Sequence, residues 1–181
     1  MSTYVAFLRA VNVAGHGRLL MEDLKNGFTA AGCRRVRTYI QSGNVIFEPS
    51  NGDLEGVVEK VRKKLRMSTL EMTLRQAVEM QELVRRSPFA AAAGDAAVGR
   101  YVVFLASEPA IRPRFPLVLA KEALEAVAMA EREVFVLSRR KENGSYGFPN
   151  AFIEKELRVS ATSRNWSTVT GMVKLLESGS W

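Results

Sequence analysis

Strand-like and helix-like segments alternate in one order over the first half of the chain, and this order constrains the fold more than any other feature. The predicted strands are Tyr4–Val13, two strands within Thr38–Phe47, and Thr69–Leu74. Between them, apolar residues recur every three to four positions from Met21 to Ala31 and from Leu54 to Leu65, which predicts two helices. The resulting β-α-β-β-α-β order is that of a ferredoxin-like unit, the α/β plait.

The segment TYIQSGNVIF, residues 38–47, predicts a β-hairpin with Ser42 and Gly43 as its two loop residues. In that register Gln41 faces Asn44 across the turn. The apolar face then carries Val36, Ile40, Val45 and Phe47. The opposite face carries Arg37 beside Glu48, and displays Tyr39, Gln41 and Asn44.

The second half of the chain is predicted to repeat the same order of strands and helices. Strands are predicted at Tyr101–Ala106, Glu133–Leu137 and Val159–Thr162, and Ala123–Ala130 fits either a helix or a strand. Asn150 is predicted to cap a helix, and a last helix carries Trp166 on its apolar face. We therefore predict an α+β protein made of two tandem ferredoxin-like (βαββαβ) subdomains, at 1–88 and 89–181, with extra connecting and C-terminal helices.

Charge, hydropathy and cysteine content limit the partners and the compartment that this protein can have. There are 26 Lys and Arg against 19 Asp and Glu, a net charge of +7, which favours anionic partners such as nucleic acid. The basic residues are scattered, so the charge could equally be compositional. No apolar run approaches the ~20 residues of a membrane span, and the N-terminal segment is typical of a strand and not of a secretory signal. The single cysteine, Cys33, fits a reducing compartment, so we expect a cytoplasmic protein with no membrane partner.

No motif of a known chemistry is present in the sequence. One histidine, His16, excludes a Cys/His zinc site, and no metal or cofactor is expected. Gly15-His16-Gly17 lacks the third glycine of a dinucleotide fingerprint, since Leu20 stands in its place. The Gly-x-Ser-x-Gly elbow and the P-loop are both absent. No catalytic residue can be assigned, and whether the protein is an enzyme stays open.

Two polar groups of residues remain without an assignment. The first contains Arg9, Asn12, His16 and Arg18, around the end of the first strand. The second is the segment 161–168, in which Thr162 or Ser163 would cap the last helix. Arg164 and Asn165 would then lie at the helix N-terminus, where free N–H groups and an arginine can hold an anion. The alternative is a cap followed by an anchoring aromatic residue, Trp166.

Four segments together resemble a known family. They are RAVNVAGHGRLLMEDLK, TYIQSGNVIF, NAFIEKEL and ATSRNWSTV, in this order. They resemble the bacterial family designated domain of unknown function 1697, over essentially the whole chain. The resemblance implies two ferredoxin-like α/β subdomains, and it implies no established activity, substrate or cofactor.

Carried over position by position, the resemblance implies a set of recurrent polar residues. They are Arg9, Asn12, Tyr39, Gln41, Ser42, Gly43, Asn44, Arg164, Asn165, Trp166 and Thr168. The chain departs from the family's pattern at Ala10 and Ala14, where glycine is usual. Tyr146-Gly147-Phe148 also replaces the Ser-Lys-Leu of many members, so any mechanism that uses that lysine is missing here.

Three functions compete on these observations. A nucleic-acid-binding module would use the net charge and the hairpin face around Tyr39, although an RNP-type motif is missing. A small-molecule-binding protein or enzyme would use a polar cleft between the two subdomains. In a structural or interaction protein the polar motifs would only fix turns and caps. We favour anion or nucleic-acid binding, with an oligomeric state that stays open. The candidate binding residues are Arg9, Asn12, Tyr39, Gln41, Asn44, Arg164, Asn165 and Trp166.

Overall fold

A computed structural model describes residues 2–9, 19–92 and 94–181. The predictions made for Asn12, His16 and Arg18 lie outside these residues. The chain divides into two compact units, one of Met1–Gln81 with Met172–Trp181 and one of Glu82–Gly171. Within the described ranges the protein is of the α+β class, with two antiparallel sheets and five α-helices. None of these helices is long and apolar enough to cross a membrane.

The first unit contains a four-stranded antiparallel sheet in the order β2-β3-β1-β4. Its elements are β1 (Tyr4–Leu8), α1 (Met21–Ala30), β2 (Cys33–Tyr39), β3 (Asn44–Pro49), α2 (Leu54–Leu65) and β4 (Met72–Gln76), and α3 (Ala77–Arg85) follows β4 directly. The predicted helical periodicities therefore correspond to α1 and α2.

Alternation along the strands positions the core of the first unit. Ala6 and Leu8 of β1 share one buried cluster with Phe47 of β3, Phe28 of α1 and Val61 of α2. These residues occupy the sheet face that the two helices cover, because successive side chains of a strand point to opposite faces.

A local signal marks the start of α2 and the end of α1. Asp53 is the N-cap of α2, and its Oδ1 accepts a hydrogen bond from the backbone N–H of Gly56 at 2.8 Å. Gly32, with a φ of +92°, follows the C-terminus of α1, where the left-handed conformation favours glycine.

The hairpin exists, but its predicted two-residue loop is wrong. Tyr39 pairs with Asn44 and Thr38 with Val45, so four residues, 40–43, form the turn. Arg37 faces Ile46, and Arg34 faces Glu48, with an irregularity between Arg34 and Arg37. Ile40 therefore lies in the turn, 51% exposed, and not on the apolar face.

The second unit contains a five-stranded antiparallel sheet in the order β6-β7-β8-β5-β9. Its elements are β5 (Gly99–Leu105), β6 (Leu117–Leu119), β7 (Leu124–Ala130), β8 (Glu133–Ser138), α4 (Asn150–Leu157), β9 (Ala161–Asn165) and α5 (Trp166–Ser178), the last of which continues into residues of the first unit. The ambiguous stretch at Ala123–Ala130 is a strand, because its alternate residues Leu124 and Ala126 join the core against Val136 of β8. Between β5 and β7 the described chain has no α-helix, only irregular backbone, β6 and a 3-10 turn at Ala120–Glu122.

Two predicted caps in the second unit are wrong. Asn150 is the first residue of α4, and its side chain bonds β9 instead of the helix: Nδ2 donates to the carbonyl oxygen of Ala161 at 3.1 Å, and Oδ1 accepts from the Ser163 hydroxyl. Thr162 and Ser163 lie inside β9, and α5 begins at Trp166. The side chain of Asn150 thus fixes α4 onto the last strand of the sheet.

Candidate functional site

Asn44 is not displayed on a polar surface, as the hairpin prediction required. Its side chain is fully buried, and its Nδ2 donates to the carbonyl oxygen of Tyr39 at 3.0 Å and to Oγ of Ser42 at 2.8 Å. The amide thus closes the four-residue turn from inside. A buried group with internal hydrogen bonds holds structure and does not read a ligand.

The other described candidates of the first unit differ in their exposure. Gln41 is exposed and Tyr39 is half-buried. Arg9, at the end of β1, forms an ion pair with Glu71 at 3.3 Å. These residues belong to the first unit and Arg164 and Asn165 to the second, and a cleft formed by both sets stays a prediction.

Arg164 and Asn165 do not converge on one anion. Both belong to β9, so their side chains point to opposite faces of the sheet. Arg164 is buried, and its Nη1 donates to the carbonyl oxygen of Ser163 at 2.8 Å. Loss of hydration lowers the pKa of this guanidinium to about 10. Asn165 is exposed on the other face.

The junction at Arg164 has a counterpart in the first unit. Thr73-Leu74-Arg75-Gln76 ends β4 immediately before α3, as Thr162-Ser163-Arg164-Asn165 ends β9 immediately before α5. Both arginines are buried, and each donates through Nη1 to the carbonyl oxygen of the preceding residue at 2.8 Å. The sequence analysis missed Arg75, although the repeated Thr-x-Arg-Gln/Asn pattern marks it.

Two arginines of β2 bind backbone within the first unit. Arg35 lies with its guanidinium 4.1 Å from the centre of the Trp181 ring and donates to the carbonyl oxygens of Gly179 and Trp181 at 3.1 and 3.3 Å. Arg37 donates to the carbonyl oxygen of Ser180 at 2.9 Å. These charges hold the last residues of the chain against the edge strand.

Many of the other basic groups also have local partners. The pairs within 3.0 Å include Arg62–Glu59, Arg85–Glu82, Arg86–Glu82, Arg139–Glu125 and Lys141–Glu122. Hydrogen bonds from Arg85 and Arg86 lower the pKa of the Glu82 carboxyl to about 2. This pairing leaves the net charge of +7 unchanged, because that value already subtracts the 19 acidic residues, but it neutralises the field close to each pair.

A pocket of about 470 Å³ lies in the second unit, beside the start of α5. Ligand pockets in proteins typically occupy about 300–1,000 Å³. Its lining comes from the approach to β5, from the turn after β8 and from the first turn of α5. The lining residues are Ala96, Val98, Gly99, Arg100, Tyr101, Tyr146, Asn165, Trp166, Ser167 and Thr170. Two sequence-predicted candidates, Asn165 and Trp166, are thus brought together here.

Three aromatic rings line this pocket, and the surrounding structure fixes each of them. The ring of Tyr101 lies over Gly99, where an added Cβ would be only 3.2 Å from Tyr101 Cε2. The Trp166 ring contacts Phe89 in an edge-to-face arrangement at 5.3 Å. The Tyr146 hydroxyl donates to the carbonyl oxygen of Ala97 at 3.0 Å. The rings are therefore preorganised before any ligand arrives.

The electrostatic surroundings of the pocket are neutral to positive. Arg100 lines it, and the guanidinium of Arg140 lies 5.9 Å from the centre of the Tyr146 ring. Burial, and to a lesser extent the neighbouring Tyr146, raises the pKa of the Tyr101 hydroxyl, which stays protonated at neutral pH. No carboxylate is among the lining residues that the structure describes.

The start of α5 differs from the equivalent start of α3. In α3, the carboxylate of Glu79 accepts a hydrogen bond from the backbone N–H of Gln76 at 2.5 Å, as a capping box does. The repeated junction places Thr168 at the position of Glu79, and the first turn of α5 has no acidic residue. The partial positive charge of this helix end is therefore not offset by a side chain of that turn.

Gly147 explains why this chain lacks the lysine of the Ser-Lys-Leu pattern. The residue is buried, and a Cβ built on it would lie 2.3 Å from the carbonyl oxygen of Glu122 and 3.0 Å from Cγ of Leu124. No side chain fits there without movement of the backbone. Both flanking residues are exposed: Tyr146 lines the pocket, and Phe148 contacts the ring of Tyr101. This departure from the pattern was the signal that could have located the pocket.

The described residues do not include a group of three or more His, Cys, Asp or Glu placed to hold a metal ion. Cys33 is buried, and its burial raises the pKa of the thiol to about 11 against a smaller opposing effect of Lys60. A neutral buried thiol is a poor nucleophile and a poor metal ligand.

Comparison with known proteins gives a family and a fold. The family described as "Protein of unknown function (DUF1697)" matches residues 1–135. No curated protein matches the sequence significantly. Among solved structures, the conserved bacterial protein SP0830 from Streptococcus pneumoniae is similar, with a TM-score of 0.64 and 18% identity over 98% of this chain and 99% of that one. At this identity the likeness shows the fold alone.

Proposed function

The chain belongs to the DUF1697 family, for which no activity is established, and we propose its function from the geometry of the second unit. The pocket beside the start of α5 binds a small ligand that has a planar ring and an anionic group, as a nucleoside monophosphate has. One observation carries this proposal: three fixed aromatic rings and Arg100 converge on one cavity, and none of its described lining residues is a carboxylate.

The planar ring is recognised by the aromatic side chains. Tyr101, Tyr146 and Trp166 come from three different segments and line the same 470 Å³ space. Aromatic residues bind planar ligands by stacking and edge contacts, each such pair contributing about 0.5–1.5 kcal/mol beyond its burial. Asn165, exposed at the mouth, supplies both a donor and an acceptor for the polar edge of a heterocycle.

The anionic group is recognised by Arg100 together with the first turn of α5. Arginine presents several N–H donors in one plane, which suits the oxygens of a phosphate or carboxylate. Ser167 adds an exposed hydroxyl on that turn, whose helix end has a partial positive charge. Since no residue of the described lining is Asp, Glu, His or Cys, we propose binding and no chemical step.

The test uses the fluorescence of Trp166. The sequence contains two tryptophans, so a Trp181→Phe background isolates Trp166 and keeps a ring for Arg35. AMP, adenosine and inorganic phosphate are titrated separately. We expect AMP to change the signal at a lower concentration than either part, and Arg100→Ala to weaken AMP about tenfold, the equivalent of about 1.4 kcal/mol, with little effect on adenosine.

Arg114→Ala is the matched control, because it removes the same charge from an exposed residue outside the lining. If both variants bind AMP equally weakly, the loss of affinity is an effect of net charge and not of Arg100 in the pocket. The absence of any response of Trp166 to AMP, in folded protein, would refute the proposal.

We also propose that each unit is a ferredoxin-like plait. In the first unit the order β2-β3-β1-β4 with α1 and α2 on one face supports this, and in the second the order β7-β8-β5-β9 repeats it with β6 added at the edge. The lone buried cysteine supports a cytoplasmic location. Fractionation of the expressing cells, followed by detection of the protein in each fraction, would test the location.

A further inference from the structure

Phe148 is an exposed aromatic side chain on a fixed backbone. It is 61% exposed and Tyr146 is 40% exposed, and exposed apolar groups that lie together, unlike single ones, mark interaction sites. The carbonyl oxygen of Gly147 accepts a hydrogen bond from the Ser138 hydroxyl at 3.0 Å, and that of Pro149 accepts from the N–H of Ile153 at 3.0 Å. The ring is therefore held out by ordered neighbours on both sides.

The ring of Phe148 extends the aromatic surface of the pocket. Its centre lies 6.0 Å from that of Tyr101, edge to face at 84°. Tyr101 lines the pocket, and Tyr146, on the other side of Gly147, is 40% exposed. A ligand confined to the pocket would leave the exposed side of the Phe148 ring uncovered, so the surface suits a ligand with more than one planar group.

The charges near this surface leave a small positive excess, which is compatible with a ligand that has anionic groups. Arg100 and Arg140 flank the rings, while Glu122 and Glu125 are offset by ion pairs with Lys141 and Arg139. Glu142 adds one negative charge to the same turn, so the net local excess is small. Stacking, and not charge, must then provide most of the affinity.

Resting on the proposed function, we infer that the ligand is a single-stranded nucleic acid, with one nucleotide in the pocket and a neighbouring base stacked on Phe148. Aromatic side chains bind successive unpaired bases in this way, with little dependence on base identity. In a double helix the faces of the bases are covered by their neighbours, so a double-stranded nucleic acid cannot stack a base on Phe148.

The test compares one nucleotide with a short strand. AMP is titrated by Trp166 fluorescence, and a labelled single-stranded oligonucleotide of roughly 10 nucleotides, a typical length for one single-strand-binding domain, by fluorescence anisotropy. The variants are Phe148→Ala and Phe148→Leu, the second restoring the residue of the Ser-Lys-Leu pattern. Ile111→Ala is the control, as it also truncates an exposed apolar residue.

We expect the strand to bind at least about tenfold more tightly than AMP. Phe148→Ala should weaken binding of the strand about 5- to 150-fold, which is the loss of one base–aromatic stack. Phe148→Leu should behave like Phe148→Ala, while the affinity for AMP and the binding by Ile111→Ala stay unchanged. The inference is overturned if the strand binds no more tightly than AMP, or if its affinity is the same for Phe148→Ala as for the native protein. Either result leaves the proposed function of the pocket intact.

If neither AMP nor the strand binds, the proposed function and this inference both fail. If Phe148→Ala changes the sedimentation of the protein and not its affinity for the strand, Phe148 is a contact between copies of the chain, and the inference is again overturned.

Discussion

Replacing Gly147 by alanine should destabilise the protein, although it adds a single methyl group. The new Cβ would lie 2.3 Å from the carbonyl oxygen of Glu122, against the 3.4 Å or more of an ordinary contact, so the backbone must move by about 1 Å. Overpacking of this kind costs about 1–3 kcal/mol. Retreat of the backbone would also stretch the bond from Ser138 to the carbonyl oxygen of Gly147, which contributes about 0.5–1.5 kcal/mol.

The two costs together give a loss of about 1.5–4.5 kcal/mol in the free energy of unfolding. A loss of that size corresponds to a fall of roughly 3–18 °C in melting temperature for a chain of this length. The measurement is thermal and urea unfolding followed by circular dichroism. Gly94→Ala is the matched control, because nothing lies within 4 Å of its Cβ and its φ is not in the left-handed region.

The control should have the same unfolding midpoint as the native protein or a slightly higher one, because alanine restricts the conformations of the unfolded chain. If the free energy of unfolding of Gly147→Ala lies within about 0.5 kcal/mol of the native value, as it does for most surface substitutions, the close approach to Glu122 is not real. The steric explanation for the missing lysine would then be wrong as well.

Three further predictions concern the first unit. At pH 8 Cys33 should react with a thiol reagent only on unfolding, because a pKa of about 11 instead of 9.0 lowers its thiolate fraction about 100-fold. The neutral thiol therefore stabilises the folded state fully below about pH 9, and that contribution is lost as the pH rises through 11. Cys33→Ala should not show this loss of stability when its unfolding is followed over the same alkaline range. Asn44→Ala should cost about 1–3 kcal/mol by urea unfolding, since two internal hydrogen bonds disappear, and an unchanged midpoint would contradict this. Asp53→Ala should cost about 1 kcal/mol for the lost cap of α2, and Asp53→Asn much less, in the same assay.

Helical periodicity was the most reliable guide within the sequence. The recurrence of Leu24 and Phe28, and of Val57 and Val61, predicted α1 and α2 because a helix face must be apolar wherever it packs against a sheet. The cap at Asp53 was equally local, since one carboxylate and an N–H three residues later settle it. These features need no knowledge of distant residues.

The hairpin register could not be read in the same way. Side chains alternate with a period of two, so moving the pairing from Gln41–Asn44 to Tyr39–Asn44 leaves every strand residue on its predicted face. The apolar pattern therefore predicted the buried face with Val45 and Phe47, and was silent on the length of the turn. The buried amide of Asn44, bonded to the carbonyl oxygen of Tyr39, selects the four-residue turn.

The segment around Arg164 shows the same limit. Its polar residues fit a helix start or a strand end equally well, and the pairing of Tyr101 with Asn165 makes it a strand that sends Arg164 and Asn165 to opposite faces. One predicted anion site is thereby divided between two environments.

By itself, the sequence determined the helices, most strands and the family, because periodicity and local motifs depend only on residues close together in the chain. Tertiary structure alone decided which polar residues are buried and which share a cavity. Arg100, Tyr146 and Trp166 are far apart in sequence, and they meet only because β9 pairs with β5 and the turn after β8 folds back towards the start of β5. Contacts between distant residues leave no periodic signal, so the candidate pocket had to be found in three dimensions.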